Sequence, residues 1–370
     1  MPIFSNSSII ICPCYLFKDS RYKPYLGKEY SMTTIIIGMQ DSLLVLESSN
    51  RYKIHEYLKG TRPQSIAFDP GNPNRAYCAT FGDGLWKTDD GGQTWNSIGK
   101  DVISSPYMMS VSVSPLDRGN NFNRVYVGTE PSALYISNDG GNSWEKMDAL
   151  NNLPSSTSWS FPPRPWTHHV RWIEPDANNL DYVFVAIEAG ALVQSHDGGR
   201  TWIDRVEQGP YDTHTLATHP KAPKRLYSSA GDGYFESFDY GESWNSQTEG
   251  LRHHYLHGLA VDSSDPQNVI VSASLGAWQA HNIENVNSVL YRRLADGETW
   301  KNVSKGLPES KGTIITILAS NPNSAGEFYA LNNRGIFISD DSGISWVALE
   351  IPWPKEYLLQ HPWSLAIRKE

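Results

Sequence analysis

Ser137-Asn138-Asp139-Gly140-Gly141-Asn142-Ser143-Trp144 is the stretch on which the fold turns, because the chain repeats it. Close copies are Thr88-Asp89-Asp90-Gly91-Gly92-Gln93-Thr94-Trp95, Ser195-His196-Asp197-Gly198-Gly199-Arg200-Thr201-Trp202 and Ser237-Phe238-Asp239-Tyr240-Gly241-Glu242-Ser243-Trp244. A fifth, Ser339 to Trp346 around Asp341, carries Ser342 at the first glycine position, and a sixth, Asp296-Gly297-Glu298-Thr299-Trp300, is one residue short. The chemistry of the repeat is local. Asp accepts hydrogen bonds from nearby backbone N–H groups, Gly supplies a positive φ, and Ser or Thr ties the turn down. Trp then opens the next strand with its ring turned inward.

Working outward, the same order recurs around every copy. In the first unit Ser65-Ile66-Ala67-Phe68 leads into the turn Asp69-Pro70-Gly71-Asn72-Pro73-Asn74. Ala76-Tyr77-Cys78-Ala79, Leu85-Trp86-Lys87, the acidic turn and a strand from Trp95 follow. That is a four-stranded antiparallel blade, with strands A to D. Six such units run from Gln64 to about Leu349. The remainder pairs with itself. Trp363 to Ile367 supplies a strand A without followers, while Thr34–Met39, Leu43–Leu46 and Tyr52–Glu56 supply strands B, C and D without a strand A. The expected fold is therefore all-β: a single seven-bladed β-propeller of four-stranded antiparallel blades over residues 32–370, its last blade closed by the N- and C-terminal strands. Closure leaves no exposed sheet edge.

Residues 1–31 are expected to be an extension outside that fold. They hold Cys12 and Cys14 and the apolar run Ile9 to Phe17, which lacks a basic n-region and a clear cleavage site. A cytoplasmic monomer is the expectation, with secretion as the alternative. Cys78 then stands alone in the body, so no intramolecular disulfide holds the fold. Aromatic residues make up 12% of the chain and charged ones 19%, with 29 Gly and 23 Pro, a balance of short strands and turns. A net charge of −9 without a basic run excludes nucleic-acid binding by phosphate neutralisation. No stretch reaches the ~18 apolar residues of a membrane helix.

The six turns resemble the Asp-box (BNR) repeat of sialidase-type and glycosyl-hydrolase-like propellers. Their structural residues are Asp90 and Trp95, Asp139 and Trp144, Asp197 and Trp202, Asp239 and Trp244, Asp296 and Trp300, and Asp341 and Trp346. The resemblance implies several chemistries. Sialidases use an arginine triad and a Phe/Tyr-Arg-Ile-Pro motif; this chain has no such tetrapeptide, and Arg62, Arg164 and Arg171 make no recognisable triad. Other Asp-box hydrolases cleave plant glycans with two carboxylates between two seven-bladed propellers. A third relative, a photosystem assembly factor, binds partners through a basic patch, and no comparable arginine cluster is evident here.

In a propeller the A–B and C–D turns share one face, and here that face is uniform. The irregular loops lie opposite, over 148–167 and 275–288, where function is expected. Aligning the A strands on their following turns places Gln64, Met109, His169, His214, His257, Thr316 and Trp363 at equivalent depth. Three successive histidines beside Glu130 and Glu188 suit one divalent transition metal, or a metal-free acid–base cluster, or simply a wet polar channel. The expected function is an enzyme hydrolysing or eliminating a small polar or glycan-like ligand. His169, His214 and His257 form its centre, as metal ligands or as catalytic acid–base groups. Glu188 and Glu130 act as base or supporting partners, and Trp159, Arg164, Trp166, Tyr255 and Trp278 contact substrate. The alternative is a non-catalytic propeller that binds a protein partner.

Overall fold

The acidic turns show how local chemistry shapes each blade. At the second, Asp139 accepts from Ser137 Oγ at 2.8 Å, from Ser143 N at 2.9 Å and from Ser143 Oγ at 2.5 Å. Ser137 Oγ in turn accepts from Gly141 N, and Trp144 Nε1 donates to Gly141 O. Gly141 has φ +90°, and a Cβ there would meet Ile98 Cδ1 at 2.8 Å, so the position requires glycine. Asp90, Asp197, Asp239 and Asp341 repeat this pattern.

A computed structural model describes residues 33–48, 52–117, 122–295 and 298–369. The expected extension over 1–31, with Cys12 and Cys14, lies outside the described residues, as do Met32 and Asp296. Seven antiparallel sheets make up the fold. Their inner strands are Pro63–Asp69, Met108–Asp117, Val170–Pro175, Thr213–Ala217, Tyr255–Val261, Ile317–Ser320 and Ser364–Lys369. Each touches the next, and the last touches the first, so the sheets close into a propeller ring. In the third blade the outermost strand shrinks to one bridge, Gln194 to Ile203, with both backbone bonds made. The seventh blade joins the ends of the chain: Ser364–Lys369 pairs with Thr33–Gly38 over six residue pairs.

Both faces of a blade are covered by its neighbours, so second strands read as continuous apolar runs rather than alternating ones. Thr33–Gly38 and Val183–Ile187 are buried at every position. Each of the seven blade–blade interfaces carries its own apolar cluster, for example Tyr126, Leu134 and Ile136 against Val170, Val183 and Val185. Several outer strands shorten to two exposed, mostly charged or polar residues, such as Glu145–Lys146 and Lys301–Asn302. Short polar edges of this kind resist pairing with another chain. Among the described residues, no helix is long and apolar enough to cross a membrane.

One irregularity positions the site. The inner strands of the first five blades each carry a register shift near their start, at Gln64, Met109, Arg171, His214 and the pair His257-Gly258. In the third blade the shifted residue is Arg171, not His169. His169 lies two positions earlier, where its carbonyl accepts from Glu188 N. Alignment on the following turn missed this because Pro175 ends the third inner strand, and the turn opens at Asp176, two residues later than Glu174-Pro175 suggests. Equivalent depth therefore holds for His214 and His257, with Arg171 as their counterpart.

Candidate functional site at the channel mouth

The starts of the inner strands and the ends of the second strands meet on the face opposite the acidic turns. Glu130 follows strand Asn123–Thr129 and Glu188 follows Val183–Ile187, while His169 and Asp212 immediately precede Val170–Pro175 and Thr213–Ala217. Tyr255 opens the fifth inner strand. His281 ends the short helix Ala277–His281, and His361 precedes the seventh inner strand. Rigid strands thus hold nearly every polar group of the mouth.

His169 sits between two carboxylates. Its Nε2 is 2.6 Å from Glu188 Oε2 and its Nδ1 is 3.3 Å from Glu130 Oε2. The second contact is an ion pair without good hydrogen-bond alignment, since Nδ1 makes no directed bond. Arg164 completes the row with a two-pronged grip on Glu130, Nε to Oε1 at 3.0 Å and Nη2 to Oε2 at 2.5 Å. Its guanidinium also packs on Phe81 and Phe161. Burial alone would depress the buried His169 ring, but the Glu188 charge, the Glu130 carboxylate beside Nδ1 and the bond to Glu188 outweigh it and raise its pKa. Burial likewise opposes ionisation of Glu130, yet His169 and Arg164 bring its carboxyl down to about 2. Glu188 is lowered still more firmly, its burial outweighed by His169, His214 and Arg171.

A second constellation faces Glu188 from the other side. His214 Nδ1 donates to Leu256 O at 2.6 Å, which turns Nε2 toward the mouth. That Nε2 lies 3.7 Å from Glu188 Oε1 and 3.7 Å from Asp212 Oδ2. Asp212 Oδ1 is already occupied by Ala189 N at 2.9 Å. Burial and the Glu188 charge raise the Asp212 carboxyl, against the pull of His214. Tyr255 Oη stands 3.4 Å from His214 Nε2 and 3.0 Å from His281 Nε2. His281 Nδ1 meets His361 Nε2 at 2.8 Å, and His361 Nδ1 donates to Pro362 O at 2.6 Å. The carbonyl at the end fixes the direction of the whole chain: His361 donates to Pro362, His281 to His361, and Tyr255 to His281. Burial holds the His281 ring well below its ordinary range and brings His361 down to about 4, so both stay neutral.

The structure thus gathers Glu188, Asp212, His214 and Tyr255 at one point, backed by His169, Glu130 and Arg164. The three-histidine set does not converge. Both His169 nitrogens face carboxylates, and His257 Nε2 receives Arg171 Nη2 at 3.1 Å. The group that does converge is Glu188, Asp212 and His214, whose donor atoms all lie within 4.8 Å of one another. Trp159 is buried in an apolar cluster and donates to Ser155 Oγ, so it is a core residue and presents no face to a ligand. Trp166 and Trp278 are 80% and 62% exposed on the rim. Asp212 was visible in the sequence as a neighbour of His214. Arg171 and His361 were missed; Arg171 is found by its place at a bulged inner-strand start and His361 by its place just before the seventh inner strand.

No protein-family profile matches the chain, and no curated protein sequence does either. Solved structures do. An ancestral GH74 enzyme superposes with a TM-score of 0.59 at 17% identity, over 83% of this chain and 38% of that one. The chain therefore spans about two-fifths of that enzyme's length. YCF48 bound to D1 peptide superposes with a TM-score of 0.54 at 16% identity, over 88% of this chain and 98% of that one. YCF48 from Cyanidioschyzon merolae gives 0.54 at 14% identity, over 77% and 84%. The likeness is one of fold. At such identities it leaves the chemistry to the site itself.

Proposed function

We propose that the channel mouth is a hydrolytic centre for a small polar or glycan-like substrate, with Glu188, Asp212 and His214 touching the reacting atoms. One observation carries this reading. Glu188 Oε1, Asp212 Oδ2, His214 Nε2 and Tyr255 Oη meet at one point, because each residue's other polar atom or proton is committed elsewhere. A water or substrate hydroxyl entering there finds two carboxylate oxygens to take up its proton. Asp212, whose proton affinity is raised, is the group suited to take it up. His169 and Arg171 hold Glu188 ionised and in place. The side chains of Asp212 and Glu188 keep 25% and 16% exposure, enough to be reached from the mouth. The GH74 neighbour supports a glycan as the substrate class.

Turnover of a panel of 4-nitrophenyl glycosides and oligosaccharides tests the reading. Wild type is expected to hydrolyse at least one, with kcat falling about 100-fold or more in Asp212→Asn and Glu188→Gln. A wild type inert across the panel, or variants as active as wild type, would overturn it. A second reading rests on the exposed rim of Trp166, Trp278 and Leu275, which suits a protein partner, as does the peptide-bound YCF48 neighbour. Under that reading Trp166→Ala with Trp278→Ala abolishes partner capture, and the carboxylate variants leave it intact.

A further inference from the structure

The three residues that converge at the mouth share a property that outward-facing polar residues lack. Each has one polar atom tied to the protein and a second atom aimed at a common centre. Glu188 gives Oε2 to His169 and turns Oε1 to that centre. Asp212 gives Oδ1 to Ala189 N and turns Oδ2 to it. His214, 1% exposed, fixes its Nδ1 on Leu256 O and turns Nε2 to it. An imidazole whose far nitrogen is fixed by a backbone carbonyl is the arrangement of metal-ligating histidines, and tethered carboxylates orient ligands in the same way. Tyr255 Oη turns its proton to His281 and faces Nε2 at 3.4 Å.

We infer that this centre binds a divalent transition-metal ion through Glu188, Asp212 and His214. The two 3.7 Å separations from Nε2 are close to the roughly 3.3 Å edge of a tetrahedron of ligands about 2.0–2.1 Å from zinc. A shift of a few tenths of an ångström closes both of these, and the two carboxylate oxygens lie within 4.8 Å of each other. One imidazole with two carboxylates suits zinc, manganese or cobalt better than the all-oxygen surroundings magnesium prefers. Three protein ligands leave a position open, the layout of catalytic rather than structural sites. The inference deepens the hydrolytic reading and rests on it for the metal's role, which is to bind and acidify the attacking water. Its hydroxide oxygen bonds to the substrate's electrophilic carbon, the bond to the leaving oxygen breaks, and that oxygen takes up the released proton.

The test uses untagged full-length protein dialysed against chelator and titrated with Co²⁺, then with Zn²⁺ in competition. Expected are one equivalent of bound Co²⁺ with visible d–d bands, displacement by Zn²⁺, and no response to Mg²⁺. Asp212→Asn and His214→Gln should weaken binding about 100-fold or more. His253→Gln, at a histidine bound instead to Tyr291, should bind as wild type does. Near-UV circular dichroism confirms folding, and if His214→Gln fails to fold, the more exposed Asp212→Asn decides. Absence of stoichiometric Co²⁺ binding, or binding unchanged in Asp212→Asn, overturns the inference. Undiminished hydrolysis by chelated protein with no metal bound sinks the metal site and spares the hydrolytic reading. Tight stoichiometric binding without turnover of any substrate does the reverse.

Discussion

Glu130, His169 and Glu188 form a row in which each ionisation depends on the next, and its pH dependence follows from the signs. The Glu130 carboxyl lies at about 2 in the folded protein against 4.5 for an ordinary glutamate. Its contribution is therefore present above pH 4.5 and is lost as pH falls toward 2. His169 is raised above 6.5, so its contribution is present below 6.5 and is lost as pH rises through the folded value. Both act together between about pH 4.5 and 6.5. The melting temperature of wild type should exceed that of Glu130→Gln by most in that window, and the gap should narrow on either side; a gap independent of pH contradicts the assignment. Glu188→Gln should lower the His169 pKa seen by NMR titration by about one unit or more. The meeting of His169 with Glu130 and Glu188 was legible in the sequence, from strand ends that share one face. Which nitrogen meets which carboxylate, and the grip of Arg164 on Glu130, were not, because they depend on where the third inner strand begins and on the course of a loop.

The acidic turns were legible, since every partner of Asp139 lies within four residues of it and the pattern survives in any tertiary setting. Contacts between blades were not. Glu236, in strand Gly233–Ser237 of the fourth blade, is fully buried and accepts from Arg225, Tyr234, Gln247 and Arg293. Arg293 ends strand Val289–Arg293 of the fifth blade, so this cluster ties two blades through residues 57 positions apart. Glu236 serves two buried guanidiniums, so its removal leaves Arg293 as an uncompensated buried charge, which costs more than the pair itself contributes. Glu236→Leu should destabilise the protein by about 3–5 kcal/mol in urea denaturation. Adding Arg293→Met to it should recover part of that loss, the remainder belonging to Arg225. A single variant within 1 kcal/mol of wild type would show that the cluster is wetter than its burial indicates.

For the whole molecule, the seven-fold plan was readable because the count of strands left over at the two ends added up to one blade, and six residue pairs between Thr33–Gly38 and Ser364–Lys369 realise it. This clasp differs in kind from the other six blades, whose strands are consecutive in the chain and form through local contacts. It must instead close a loop of nearly the whole chain, at an entropic cost that rises only slowly with length. What the clasp returns is the burial of Ile35 and Ile37 against the sixth blade and of Ile36 against the first. Ending the chain before Trp363 would strip the inner strand from this blade. It would leave the backbone of Thr33–Gly38 unpaired along one side and open the ring beside His361, which also loses the stacked Trp363 ring. Such a truncated chain should lose cooperative unfolding and associate through the bared edge, seen as early elution on size exclusion and a broadened thermal transition. A circular permutant that restores the same strand as part of a continuous hairpin should unfold as cooperatively as wild type. If the truncated chain stays monomeric with an unchanged transition, the six local blades hold the ring without the clasp. The channel mouth would then owe its geometry to the bulged inner strands alone.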